Sequence, residues 1–196
     1  MIYYNDLSEE IDQCNIFQEV SFNCEGGAAK SAILLTPRCD LVLQEGRNSP
    51  KAKYLKFAAI TDAEPIVKGI LSQFRISKDQ LKGEEYIDEE TFENVQIGIK
   101  NFVNGAIYPR YFFIPALDNA FGYSVIDFQI IEVKKYSKEL FQNLRDKRIS
   151  QIKSSWREAI PVRYSNYSSR IGLQDYPEDT YDKLLQSLSI NLVRSS

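Results

Sequence analysis

Histidine is absent from this 196-residue chain. That excludes Ser-His-Asp and Cys-His nucleophile systems and any imidazole metal ligand. A proton-transferring residue has to be Asp, Glu, Lys, Tyr or Cys. Cysteine is sparse as well. Cys14, Cys24 and Cys39 make an odd number with no framework spacing, so a reducing, cytoplasmic setting is expected. These thiols, with or without Asp40, lack the tight CxxC pairs that structural zinc favours, so no metal is expected, and no cofactor. Long apolar runs are missing too. None approaches the ~20 residues of a membrane span, and residues 1–13 are acidic and polar where a secretory segment would be apolar. No membrane partner is expected. Finally there is little charge excess: the formal net charge of -3 gives no global electrostatic case for nucleic acid, although a local patch would still bind it.

What is present is a globular composition. Hydrophobic residues at 43% and charged residues at 26% exclude a disordered or fibrous class. The length suits one domain with a sizeable core, or one domain plus an appendage. Twelve tyrosines and 11 phenylalanines favour sheet and a packed interior.

The stretch 31–60, SAILLTPRCDLVLQEGRNSPKAKYLKFAAI, organises the rest. Two apolar β-rich runs, 32–35 and 54–60, are joined by a polar loop with Gly46, Asn48 and Pro50. The unbroken run 32–35 reads as a strand buried on both faces. Pro37 cannot donate a ladder hydrogen bond and should end regular pairing. Leu41-Val42-Leu43 reads as a helical turn or a strand end. Upstream, 15–22 (NIFQEVSF) reads as a first strand and Cys24-Glu25-Gly26-Gly27 as a turn. Downstream, Ile66, Ile70, Leu71 and Phe74, then Phe92, Val95, Ile99 and Phe102, fall at period 3.6. They predict two or three helices inserted over 62–105, with breaks at Gly83 and Gly105.

Residues 106–115 and 123–133 read as a hairpin with a longer loop. In its second strand Val125, Asp127, Gln129 and Ile131 share one face, and Ile126, Phe128 and Ile130 the other. From Ser137 the pattern is helical: Leu140, Phe141 and Leu144 make a stripe that Ile149, Ile152 and Trp156 continue. Pro161 is expected to break or kink the helix starting near Ser154. Tyr164, Tyr167 and Ile171 follow at helical spacing up to Gly172, and 177–193 reads as a last short helix. The class is α+β: a small antiparallel sheet or barrel over 1–136 carrying the insertion, then a helical tail over 137–196 packed on the barrel or on a partner.

The order NIFQEVSF, SAILLTPRCDL, KYLKFAAI resembles the first half of PemK/MazF-like barrels, which are small and SH3-like. A nearer similarity is to an uncharacterised prokaryotic family with a Thr-x-x-Cys-Asp-Leu motif, here Thr36 to Leu41. It continues with an Arg-Tyr-Phe hairpin, here Arg110-Tyr111-Phe112, and a tail like Trp156-Arg157-Glu158-Ala159 with Tyr167 and Arg170-Ile171-Gly172-Leu173. The resemblance implies an SH3-like β-barrel and a place near defence or toxin–antitoxin loci. The MazF-like nuclease signature has Gly-Asp before the first strand and Arg-Pro entering the second; this chain reads Cys14-Asn15 and Lys30-Ser31 there.

Several side chains are candidates. Cys39, beside Arg38 and next to Asp40, would be a nucleophile or redox sensor if its pKa were lowered. Without histidine the favoured alternative is a small core cysteine, with Asp40 capping a turn. Arg110-Tyr111 would bind phosphate or a base, extended by Arg47, Lys51, Lys53 and Lys56, or would be a solvated hairpin edge. Asp127, facing inward, would pair with Arg38 or Arg110 or carry a raised pKa; facing outward it is ordinary; pairing is favoured. Lys147, Arg148, Lys153, Arg157, Arg163 and Arg170 interleave with Trp156, Tyr164 and Tyr167. They form either a docking or nucleic-acid surface or a helix whose aromatics pack while its basic groups snorkel. The run 84–93, with six carboxylates, would repel or imitate nucleic acid, or is a solvated face.

The leading expectation is a non-enzymatic protein- or nucleic-acid-binding component of a multi-protein prokaryotic system, antiviral defence included, with a protein partner encoded nearby. Its binding set is Arg110, Tyr111, Trp156, Arg157, Arg163, Tyr167 and Arg170. The alternative is a MazF-like endoribonuclease cutting single-stranded RNA, with Arg38, Cys39, Asp40, Arg110 and Asp127 as its catalytic candidates. The oligomeric state is left open.

Overall fold

The computed structural model describes residues 2–4, 10–42, 49–74 and 88–169. Leu43, Gly46, Arg47, Asn48, Gly83 to Ile87, Arg170, the motif residues 171–173 and the helix expected over 177–193 lie outside the described residues.

The chain is α+β, built on one antiparallel sheet curled into a half-barrel. Its strands are β1 (Tyr3–Tyr4), β2 (Asn15–Phe22), β3 (Ala28–Leu34), β4 (Tyr54–Asp62), β5 (Tyr111–Ile114), β6 (Ser124–Lys135) and β7 (Arg148–Ile152). They lie in the order β1-β7-β2-β3-β4-β6-β5. The two β-rich halves of the sequence therefore join in one sheet, through the β4–β6 ladder.

The apolar run after Lys30 behaves as its composition demands. Ile33 and Leu35 enter one core cluster, Ala32 and Leu34 another. On β4, Ala58 and Ile60 join the first cluster and Leu55, Phe57 and Ala59 the second. The first cluster draws side chains from all seven strands and is the concave interior. The sheet curls far enough for its two ends to meet: the Tyr3 hydroxyl donates to the carbonyl of Pro115, just beyond β5, and the Tyr3 and Phe121 rings meet edge to face. The second cluster lies on the convex face under the one-turn α1 (Arg38–Leu41) and α4 (Lys138–Lys147). Ser137 caps α4 by accepting from the Leu140 N–H at 3.0 Å, which starts the helix where the sequence places it. The insertion holds α2 (Glu64–Gln73) and α3 (Glu89–Val103), packed through Ile70, Phe74 and Phe102 against Val125 and Phe113.

Three local expectations are corrected. Ile149 and Ile152 do not continue the α4 stripe: the helix ends at Lys147, Arg148 turns extended, and β7 inserts between β1 and β2. A five-residue run with two isoleucines fits either period, and the unfilled edge of β2 decides it. Pro161 does not break its helix either. α5 (Ser154–Ser168) runs through it, held by Ile160, Tyr164 and Tyr167 against the concave cluster. Strict alternation fails in β6. Ala58 pairs with Ile131 but the next residue, Ala59, pairs with Asp127, so Phe128, Gln129 and Ile130 are extra on β6. An odd excess reverses the faces: Ile131 joins Ile126 and Phe128 on the concave side, and Ile130 packs on the convex one.

Burial on both faces of β3 has a direct test. Ile33→Ala and Leu34→Ala, neighbours pointing opposite ways, should each lower unfolding free energy by about 2–4 kcal/mol in urea titrations. A loss at only one would mean that one cover is missing.

Candidate functional site

The extra residues of β6 set up the first cluster. Asp127 is 2% exposed. Its carboxylate accepts from Arg110 Nε at 2.7 Å and from Arg110 Nη2, and also from the Gln129 N–H at 2.9 Å, which the bulge turns inward. The Phe128 N–H meanwhile donates to the Arg110 carbonyl. The guanidinium also lies over the Tyr111 ring, 4.9 Å from its centroid. The hydrogen bond to Asp127 raises the Arg110 pKa further, and burial raises that of Tyr111. Tyr164 and Tyr167 of α5 pack on Phe128, and Lys56 Nζ sits 5.2 Å from the centre of the Tyr164 ring. Asp127 therefore pairs with Arg110, not Arg38, and its oxygens already hold three donors.

The second cluster joins the two ends of the described chain. Asp12, nearly buried, accepts from Arg157 Nη1 at 3.1 Å and lies 3.6 Å from Arg38 Nε. Cys14 sits beside it, fully buried and left-handed at φ 61. Its thiol donates to the Arg157 carbonyl at 3.6 Å. That carbonyl is the one Pro161 leaves without its helical N–H donor, so the thiol fills the vacancy. Burial pushes the Cys14 thiol up to about 12, against the lowering influence of Arg157. Such a thiol is a structural group rather than a nucleophile.

Cys39 is exposed on α1, not a core residue, and Asp40 pairs with Lys51 at 3.2 Å. A four-residue helix after Pro37 places its second residue outward while Leu41 turns in. The catalytic candidates thus fall into separate arrangements: Arg38 with Asp12, Asp40 with Lys51, Arg110 with Asp127. Among the described residues no three Cys, Asp or Glu side chains are grouped to hold a metal ion, and no helix is long and apolar enough to cross a membrane.

Four basic side chains of the tail segment are bonded within the fold. Arg148 donates to the Glu10 carbonyl and to Asn15 Oδ1, Arg157 to Asp12, Arg163 to the Gly105 carbonyl, and Lys147 to the Glu19 carbonyl. These bonds fasten α4 and β7 to β2 and the residues before it, and α5 to Asp12 and to the end of α3. Trp156 meets Phe112 edge to face and stays 46% exposed beside Arg163, in a hollow of about 330 Å³.

What lies open is apolar. A groove of about 470 Å³ runs between α2 and α3, floored by Val67, Leu71, Ile99 and Phe102 and walled by Phe113 and Tyr123. The two wall rings stack at 6.1 Å, and Tyr123 is 67% exposed. Val103, 42% exposed, borders both this groove and the Trp156 hollow. The sequence reading missed Asp12, Val103 and Tyr123. The available signal was in α3, where Val103 follows Ile99 by four residues and widens the apolar stripe beyond what one packing face requires.

Compared with models of protein families, with curated proteins and with solved structures, the chain matches none.

Thiol chemistry checks the Cys14 assignment. A disulfide reagent should label Cys24 and Cys39 at once in the native protein and Cys14 only on unfolding. The folded thiol ionises later than the unfolded one, whose ordinary value is 9.0. Its contribution to stability is therefore complete below that pH and fades as pH climbs towards 12. Burial raises the Tyr3 phenol in the same direction. Denaturant titrations from pH 7 to 11 should show a decline that is shallower in Cys14→Ala.

Proposed function

We propose that the chain is a non-enzymatic docking component of a multi-protein prokaryotic system, with antiviral defence or a toxin–antitoxin module as its setting. The half-barrel is read as an SH3-like platform, and the α2–α3 insertion as the part that meets a protein partner. One contrast carries the reading: Lys147, Arg148, Arg157 and Arg163 each donate to an acceptor within the fold, while the large groups left to solvent around Val103, Tyr123 and Trp156 are apolar. Contiguous apolar surface on a folded chain marks a protein interface more often than a nucleic-acid one.

The MazF-like ribonuclease has less support. It needs Arg38, Asp40 and Arg110 around one scissile phosphate, and each of the three is held by its own counter-charge. A sequence-tolerant nucleic-acid binder is supported only by Lys56, Arg110 and the neighbouring tyrosine rings.

The test is binding between the purified chain and the products of adjacent genes, followed by calorimetry on any pair that forms. Val103→Asp should weaken that complex about tenfold or more, as central apolar anchors do, with Arg38→Ala unchanged. Cleavage of single-stranded RNA by the wild type, lost in Arg110→Ala, would overturn the proposal.

A further inference from the structure

We infer that the α2–α3 face receives an amphipathic helix whose flanks are basic. The inference rests on the docking reading above and names the chemistry of the partner.

α3 carries two apolar edges. One is used: Gly98 lets α2 approach so closely that a Cβ there would stand 3.2 Å from Ile70, and Phe102 packs with Phe113. The other is not. Phe92, Val95, Ile99 and Val103 recur at i, i+3, i+7 and i+11, and Phe92 is 49% exposed. This ridge has a hollow on each side. One is the groove against Tyr123; the other, also about 470 Å³, lies along Val95, Gln96 and Lys100. A ridge between two furrows suits the ridge-and-groove packing of a second helix. The 15 residues of α3 give a seat of about 22 Å, the length of a four-turn partner.

The rim selects the charge. On α2, α3 and the residues that lead into them stand Asp62, Glu64, Asp88, Glu89, Glu90 and Glu93. Against them are Lys68, already paired with Glu64, and Lys100. Glu89, Glu90 and Glu93 are exposed along the first turns of α3. This excess of carboxylates attracts and orients a cationic partner, and it repels nucleic acid. It also disfavours two copies meeting through this face, since carboxylate would meet carboxylate. A partner with an apolar stripe and Lys or Arg on both flanks satisfies ridge, furrows and rim together.

The probe is a labelled synthetic helix of about 18 residues with leucine along one face and lysine on the flanks, titrated with the full chain by fluorescence anisotropy. Comparison peptides carry glutamate flanks, or the same residues with the leucines scattered. The lysine-flanked peptide should bind best, and its affinity should fall steeply with salt. Val103→Asp and the triple variant Glu89→Lys, Glu90→Lys, Glu93→Lys should each cost about tenfold. Both variants alter exposed or half-exposed positions, and unchanged thermal melts confirm their folding; Tyr123→Ser is the second groove variant. No binding, equal binding of the scattered peptide, or indifference to both variants overturns the inference. If a neighbouring gene product binds, loses affinity with Val103→Asp and ignores the triple variant, docking stands and the basic-helix chemistry falls.

Discussion

A strand whose side chains are apolar on both faces has to be covered twice, and the rest of this molecule is arranged to supply the two covers. β3 and β4 sit at the middle of the sheet with Ile33, Ala58 and Ile60 on one side and Leu34, Leu55 and Phe57 on the other. Leaving either set in water would forfeit roughly 1.5–3 kcal/mol for each large side chain. The convex side is met by α4 and the turn at α1. The concave side is met by the curl of the sheet itself, which brings Tyr3 to Pro115, and by α5 lying in the remaining mouth. The half-barrel is thus what a doubly apolar sheet does when only short helices are at hand.

That arrangement explains where the charge goes. A helix seated in an apolar trough is anchored at its margins, and polar bonds there add position rather than bulk stability. Arg157 reaches Asp12 and Arg163 reaches Gly105, with the Cys14 thiol on the carbonyl that Pro161 leaves open. The proline is tolerated because its loss is made good from the sheet, not from within the helix. Basic residues placed this way each have a donor engaged inside the fold. The insertion keeps Glu89, Glu90 and Glu93 exposed, with Phe92 and Val103 of its second apolar edge largely open.

Much of the architecture was legible because its signals are local. The doubly buried run, the first strand, the two insertion helices and the cap at Ser137 each follow from a few consecutive residues. What was not legible depends on distant ones. β7 pairs with strands more than a hundred residues earlier. Its five residues carry no decisive period of their own. The three extra residues in β6 exist only relative to β4. The site suffered most. The interleaving of Arg157, Arg163 and Tyr167 suggests an exposed basic face until Asp12, 145 residues away, is seen to accept from Arg157. Asp127 was read closer to its actual place, because a carboxylate alternating with isoleucine and phenylalanine has few options but an arginine.

Gly105 closes α3 in a left-handed conformation, φ 70, and a Cβ there would overlap the Arg163 guanidinium. Only glycine satisfies both conditions without displacement. The insertion is therefore tied to α5 at a second point, besides the chain that joins it to the sheet. It cannot swing outward as a hinged flap unless that tie is released or α5 is dragged with it. Displacing the Val103 end of α3 therefore means breaking the Arg163 bond to the Gly105 carbonyl or pulling on the helix that stoppers the sheet.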